Sequence, residues 1–484
     1  MGKSIIVNIT PEETRMAFLE DKELIELSIE RTQSGHSVGN IYKGKIKNVL
    51  PGMQAAFIDI GKDKNAFLYT GDVVSAESPR ESGDTALTEG RDVMVQIVKE
   101  AIGSKGPRAT THLTLPGRYV VLMPTVDYIA TSRRIGDEQE RSRLKKIVEA
   151  LRPEGMGIIV RTMSQGKSEE ELQKDIEYLY NLWLTLVARS KRATAPILLY
   201  RDVDLVIRIV RDYLSDDVES FVLDNQEAYR RVCDLLKYIS PELLSKVTFY
   251  QGTEDIFTQF GLDEELKKAG QRSIWLACGG YIVIDKTEAL TVIDVNTGKF
   301  VGSTNLSDTV FRTNLEAARE IARQIRLRDI GGIIIIDFID MDKEEQKQEI
   351  IAALEEEFKR DRTKTNVLGF TGLGLVEITR KKVRPNVESV LYKECPCCMG
   401  HGRVQSPETV IISIWRKMRQ LMRQTKRQGR LVIQIHPLVA EVLINRGELA
   451  RMEEELACSL RVEALPGMHP GIFSILQESE LAGK

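Results

Sequence analysis

Asp294 and Asp337 each close an apolar run of mostly β-branched residues, Leu-Thr-Val-Ile-Asp294 and Gly-Gly-Ile-Ile-Ile-Ile-Asp337. Such a run reads as a buried strand, so each carboxylate emerges where a strand leaves its sheet. Two exits side by side make a pocket of hard oxygen ligands, which Mg²⁺ takes together with waters and substrate phosphates. Asn296 follows Asp294 by two residues, and in extended chain its amide faces the same way. An uncharged donor beside two carboxylates can bind a phosphate without neutralising a metal site. Acidic residues also follow strands simply because turns are polar, so either aspartate alone carries little.

The chain between the two aspartates says how they are positioned. From Thr313 to Arg328 it is apolar at 315, 318, 321, 322 and 325, the pattern of an amphipathic helix, with Gly331 and Gly332 to stop it. A strand, helix and strand of that length predicts parallel neighbours, with Asp294 and Asp337 at one sheet edge. Upstream, residues 4–31 alternate apolar and polar, which predicts a three-stranded antiparallel meander.

Residues 38–115 change to short strands rich in glycine, including Gly39, Gly44, Gly52 and Gly61, and resemble an S1 domain, a five-stranded oligonucleotide-binding barrel, with Ser78 to Glu89 as a polar loop. Phe57 and Phe67 lie there among Lys43, Lys45, Lys47, Lys62 and Lys64. Aromatics on a barrel face stack on bases while lysines track phosphates. The competing assignment puts both rings in the barrel's core.

Residues 116–200 read as a further α/β piece. A strand at 118–123 and another at 157–160 are followed by Arg161-Thr162, then by a helix from Ser168 with Glu171 completing a capping box. A guanidinium, a hydroxyl and loop amides ahead of a helix can bind phosphate; a surface ion pair is the alternative for Arg161. The stretch Val203 to Val210 reads as a strand, and residues 201–270 could complete the sheet begun at residue 4. The barrel and the phosphate piece would then be insertions into one domain.

At 484 residues the chain exceeds a single core, and two to four domains are expected. Its 42% apolar and 29% charged content is that of a globular protein; neither a signal peptide nor a membrane-spanning run is evident, and a cytoplasmic location is expected. A net charge of −3 leaves the question of nucleic acid to local clusters. One runs from Trp415 to Arg430 with seven positive charges and no negative one, equally a solvated helix face or an RNA or partner contact.

Three of six cysteines fall within four positions, Cys395-Pro-Cys397-Cys398, which points to metal in a reducing compartment. Cys395 and Cys398 have zinc-knuckle spacing, but a second C-x-x-C is missing, and Cys233, Cys278 and Cys458 are isolated. His401 is a candidate third ligand or a turn residue. The simplest completion is the same pair from a second subunit. A redox C-x-x-C is disfavoured for want of a surrounding thioredoxin-like βαβ unit.

The barrel segment with Phe57 and Phe67, Arg161-Thr162, Ile293-Asp294-Val-Asn296, Ile336-Asp337-Phe-Ile-Asp-Met and Cys395-Pro-Cys-Cys398, in this order, resemble the ribonuclease E/G family over essentially the whole chain. The resemblance implies an α/β multidomain fold. An RNase H-like domain (1–37 and 201–270) carries an inserted S1 (OB-fold) barrel (38–115) and a 5′-phosphate sensor subdomain (116–200). A DNase I-like catalytic domain (271–391), a zinc-link (392–405) and a small C-terminal α/β domain (406–484) follow. It implies a single-strand endoribonuclease acting in rRNA maturation and mRNA decay, with one Mg²⁺ on Asp294 and Asp337 and Asn296 beside the scissile phosphate. It also implies a homodimer in which Cys395 and Cys398 share Zn²⁺ with a second protomer, with a dimer of dimers left open.

By the same resemblance Phe57, Phe67 and Lys105 contact RNA, and Gly117, Val121, Arg161, Thr162 and Lys364 form a pocket for a 5′-monophosphate. Lys364 departs from one branch of the family, which has arginine there, and matches the compact branch, as does an end at Lys484 without a long tail. A lysine supplies a point charge and not a bidentate fork, so weaker 5′-end discrimination is expected. Cys397 also departs from the usual pattern. Two other classes compete: a non-catalytic S1-domain RNA-binding protein, which has no need of paired carboxylates, and a nuclease acting on DNA, against which the barrel argues.

Overall fold

The alternating N-terminal stretch forms the antiparallel meander Lys3–Ile9, Glu13–Glu20 and Glu23–Arg31, and Val218–Leu223 joins it in parallel beside Lys3–Ile9. With Val247–Phe249 outside, the sheet has five strands. The computed structural model describes residues 2–31, 37–72, 87–101, 105–202, 204–298, 306–382, 386–424 and 430–478, in two compact units, Met1–Val390 and Leu391–Lys484.

The stretch expected as a strand at 203–210 is instead the helix Leu205–Asp212. Leu205, Val206, Ile209 and Val210 are buried at helical spacing, and the Asp204 carboxylate caps the helix by accepting from the Ile207 N–H. A β-branched run misled the reading; tertiary burial on one side overrides propensity. Val203 and part of the polar loop Ser78–Glu89 lie outside the described residues.

Residues 41–110 close into a barrel: Ile41–Leu50 pairs with Ala55–Asp59, then Ala66–Tyr69, Arg108–Thr110 and Asp92–Lys99, which returns to Ile41–Leu50. Tyr42, Ile46, Ala56, Ile58, Ala66, Leu68, Val95, Ile97 and Ala109 fill it. Ile197–Tyr200 adds to the Ile41–Leu50 strand from outside. A four-stranded sheet, Ile129–Thr131, Gly157–Val160, Val120–Met123 and Leu115–Pro116, packs on the helices Glu138–Leu151 and Glu169–Arg192. The second helix starts with the expected Ser168–Glu171 capping box.

A six-stranded sheet runs in the order Ser273–Trp275, Tyr281–Lys286, Leu290–Asn296, Gly332–Asp337, Leu375–Arg380, Thr365–Phe370. Alternate residues, Ile282, Ile284, Ile293, Val295, Ile334, Ile336, Val376 and Ile378, face the helices Leu306–Leu327 and Glu344–Lys359. Ala318, Ile321, Ala322 and Ile325 are fully buried, as their spacing predicted. The helix is longer than expected at its start and ends before the glycines. Asp329, at φ 51°, takes the left-handed cap position, and Ile330 N–H donates to Ile325 O.

In the second unit Leu431–Ile435 pairs in parallel with Leu460–Ala464 and antiparallel with Phe473–Gln477, beneath the helices Pro407–Gln424, Pro437–Asn445 and Glu448–Leu456. The parallel pair with helices between is a βαβ unit.

Buried Arg380 pairs with Asp361 (2.8 Å) and Asp329 (2.5 Å) and donates to Ile330 O. Asp361 in turn accepts from the Thr363 N–H and the Thr365 hydroxyl, so the loop 361–365 is pinned to the six-stranded sheet. Replacing Arg380 with alanine removes the guanidinium from two carboxylates. Chemical denaturation of Arg380→Ala is expected to show a loss of about 3–5 kcal/mol.

Candidate active site

The parallel ladder between Leu290–Asn296 and Gly332–Asp337 sets Asp294 directly opposite Asp337. Both carboxylates are exposed, on the face of the sheet turned away from the two helices. The Asn296 amide, two residues along the same face, donates to Asp294 Oδ2 at 2.8 Å. Its second N–H remains for a phosphate oxygen.

The chain leaving Asp337 is held by Asn314, which is fully buried in the helix Leu306–Leu327. Asn314 Nδ2 donates to Ile339 O (2.8 Å), and its Oδ1 accepts from the Ile339 N–H (3.1 Å). Glu316, two residues on, accepts from the N–H groups of Ala277 and Cys278. Neither residue stood out in the sequence, because a buried amide within an amphipathic helix carries no motif of its own.

Among the described residues no three His, Cys, Asp or Glu side chains gather into a metal-binding group. Two exposed carboxylates in register still offer the hard oxygen donors that Mg²⁺ uses, with waters and substrate as the other ligands. The residues present fit such an ion.

Phe57 and Phe67 are cross-strand partners, with ring centroids 5.9 Å apart and edge-to-face. Their neighbours Ala56, Ile58, Ala66 and Leu68 fill the barrel, so the phenylalanines lie on its outside, half-exposed. That removes the core assignment. Lys105 is exposed on the approach to Arg108–Thr110, the strand that pairs with the Phe67 strand. Gly106 beside it passes so close to the backbone that a Cβ would meet Asn65 O at 2.1 Å. Not every lysine tracks phosphates. Lys43 donates to Ser190 O and Ala193 O and pairs with Asp92; Lys47 pairs with Asp59; Lys62 donates to Ser37 Oγ.

Around the phosphate-pocket candidates, Arg161 Nη1 donates to Gly117 O (2.6 Å) and Nη2 pairs with Asp212 (2.6 Å). The surface ion pair weighed as an alternative therefore exists, and it fixes the guanidinium beside Gly117. Burial alone would push the Asp212 carboxyl up, but Arg211 and Arg161 outweigh it and hold it down to about 2. Thr162 shares a hydrogen bond with Ser132 (2.9 Å), and Val121 sits half-buried in the strand next to Gly117.

Beneath lies Asp175, which accepts from the N–H groups of Arg118, Tyr119 and Val120; a Cβ at Gly117 would strike its carboxylate at 2.5 Å. Lys364 is exposed on the loop 361–365. That loop docks here: Arg362 Nη1 donates to Asp212 O, its guanidinium lies 3.9 Å from the centre of the Tyr213 ring, and Arg134 donates to Asp361 O. Asp212 escaped sequence reading because its partner Arg161 lies 51 residues away.

In the second unit Cys395 and Cys397 are exposed and Cys398 half-buried. Backbone N–H groups of Cys398 and Cys397, with the Cys398 thiol, hold the Cys395 thiol below its ordinary range, which favours the thiolate that metals bind. Cys398 O accepts from the His401 N–H, and Cys398 Sγ from the Gly402 N–H. His401 thus contributes backbone to the turn. His469, not anticipated, accepts from the Gly471 N–H at Nδ1, which leaves Nε2 to donate to Cys397 O. Thiolates with knuckle spacing fit zinc, although the pair Cys395 and Cys398 supplies only half of a tetrahedral set.

Residues 114–383 match the Ribonuclease E/G family, and residues 394–478 match the thioredoxin-like domain of RNase E/G. The chain belongs to the ribonuclease E/G family. It is 42% identical to Ribonuclease G of Escherichia coli (strain K12), over 98% of this chain and 100% of that protein. It is equally similar, at 42%, to Ribonuclease G of Haemophilus influenzae over 91% and 92% of the two chains. It is 34% identical to Ribonuclease E of the latter organism, over 99% of this chain but 53% of that longer protein. The thioredoxin-like match, which spans the cysteines, corrects the expectation that no such context surrounds them: the βαβ unit begins at Leu431, beyond the helix Pro407–Gln424.

Proposed function

We infer that this protein is an endoribonuclease, a hydrolase of RNA phosphodiester bonds, and that Asp294, Asp337 and Asn296 are its active centre. The observation that carries the assignment is the register of the parallel ladder, which opposes the two aspartates on an uncovered face. A non-catalytic RNA-binding protein has no use for that arrangement.

Asp294 and Asp337 are the residues that would hold Mg²⁺. When bound, the ion supplies charge neutralisation at the phosphate and lowers the pKa of a coordinated water. Asn296 hydrogen-bonds a phosphate oxygen and keeps Asp294 oriented. Water attacks phosphorus in line and the 3′-oxygen leaves, giving a 5′-phosphate and a 3′-hydroxyl. Phe57 and Phe67 on the barrel's outside stack on splayed bases while Lys105 meets the backbone, which a duplex cannot satisfy.

Gly117, Val121, Arg161, Thr162 and Lys364 form the pocket for a 5′-monophosphate. Arg161 is held by Gly117 O and Asp212, and the Lys364 loop by Arg362 and Arg134. In domain terms, the sheet of residues 3–31 and 218–249 is the RNase H-like element. The barrel is the S1 insertion, the four-stranded sheet the sensor, and the six-stranded sheet the DNase I-like catalytic element. Cys395 and Cys398 take half of a Zn²⁺ site whose other half is the same pair of a second copy, making a homodimer. Processing of ribosomal precursors and decay of messages are the roles this activity serves. Among the described residues no helix is long and apolar enough to cross a membrane.

Four outcomes test this reading. In Mg²⁺, short 5′-monophosphorylated RNA is cleaved, the matching DNA is not, and a 5′-hydroxyl RNA is cleaved more slowly. Asp294→Asn and Asp337→Asn each lower the rate about a thousandfold, the several kcal/mol that a metal-held charge supplies, while RNA affinity is retained; undiminished cleavage by both would remove the metal assignment. Phe57→Ala and Phe67→Ala each weaken RNA binding by about 1–3 kcal/mol, measured by titration, without unfolding the barrel. Mass measurement in a zinc chelator yields monomers, and a dimer indifferent to chelation contradicts the shared site.

A further inference from the structure

The face that carries Asp294 and Asp337 also carries an aromatic pair, Trp275 exposed and Tyr281 half-buried. Trp275, on the edge strand Ser273–Trp275, is directly opposite Tyr281, and their ring centroids are 5.1 Å apart. Tyr281 is in turn directly opposite Asn296. Directly opposed residues share a face, so Trp275, Tyr281 and Asn296 form one row across the sheet. Val283, Asp294, Asp337 and Leu375 form the next.

Trp275 is 64% exposed, a large apolar surface left in water. The helices Leu306–Leu327 and Glu344–Lys359 pack on the other side of the sheet and do not cover it. From Trp275 to Asn296 is two interstrand steps, about 10 Å, a distance that a short stretch of extended RNA spans.

Charge narrows the choice of occupant. This face presents Asp294, Asp337 and Glu377, and Arg272 at its edge is committed to Asp285 by two hydrogen bonds of 2.5 and 2.6 Å. Among the described residues it does not offer phosphates a cationic track. An aromatic ring instead takes the π-face of any base without regard to charge or sequence.

We propose that Trp275, braced by Tyr281, is a stacking platform for a base close to the scissile phosphate, a positioning subsite for single-stranded RNA. It rests on the nuclease reading above. The platform holds the strand while Asn296, in the same row, meets the phosphate. Trp275 is a positioning residue, since its ring binds substrate equally well before and during reaction; removing it should raise KM and leave kcat nearly unchanged.

The test uses the full-length chain, Mg²⁺ and a short 5′-monophosphorylated RNA carrying a single abasic residue at each position in turn. Trp275→Ala is expected to raise KM about tenfold, and Trp275→Phe to restore it. In the parent protein one abasic position reproduces the loss, and in Trp275→Ala that position costs nothing further. An unchanged KM, abasic losses that stay additive at every position, or a change in oligomer mass in place of RNA affinity would each overturn the platform.

The nuclease reading fails separately, by absence of Mg²⁺-dependent cleavage in the parent chain. In that event RNA titration still decides the platform, through tryptophan quenching that Trp275→Phe removes. Persistence of the full quench in that variant refutes it.

Discussion

Two like charges held on directly opposed residues of one ladder are a standing electrostatic cost. For carboxylates roughly one strand spacing apart the repulsion runs from about 1 kcal/mol in water to about 4 kcal/mol at a protein surface. The fold imposes it regardless, because backbone pairing and an isoleucine-rich core, with no contribution from the acids themselves, set the register of Asp294 and Asp337. Asn296 offsets part of the cost with one hydrogen bond. On the proposed nuclease reading, a divalent cation and a phosphate are what offset the rest.

The same sheet reaches Arg161 and Gly117, in the proposed phosphate pocket, through charge pairs. Arg380 holds Asp361, the next residue Arg362 reaches Asp212, and Asp212 fixes Arg161 beside Gly117. On its other side the helix Leu306–Leu327 anchors to the N-terminal sheet, where buried Arg326 pairs with Glu20 (3.4 Å) and Glu26 (3.7 Å). Buried pairs of this kind add little net stability, but they are intolerant of losing one member. They fix where the loop 361–365 sits relative to the sheet that bears the acids.

Much of this was readable beforehand where periodicity was long and one-sided. The alternation of residues 4–31, the helix between the two acids and the capping box at Ser168 all fold as their patterns say. Local pattern failed where burial came from elsewhere. Val203 to Val210 looks extended by composition, yet Leu205–Asp212 is helical because one side packs on the first sheet. Asp175, Asp212, Asn314 and His469 have no signature spacing, since their partners lie tens of residues away. Trp275 and Tyr281 are six residues apart around a turn, and only the ladder brings their rings together. The thioredoxin-like context was missed because its paired strands follow the cysteines and do not precede them.

The barrel and the four-stranded sheet have a joint point of attachment. Ile41, where the barrel's first strand begins, and Tyr200, where the outer strand ends, are cross-strand partners, and just beyond them the Asp202 N–H donates to Asn40 Oδ1 at 2.8 Å. Some 160 residues therefore enter and leave at a single clasp. A segment whose ends touch can be accommodated by a host sheet without prising its strands apart, as tolerated insertions generally require. It follows that this block can be lengthened or exchanged at that clasp without altering the strand order of the sheet that receives it.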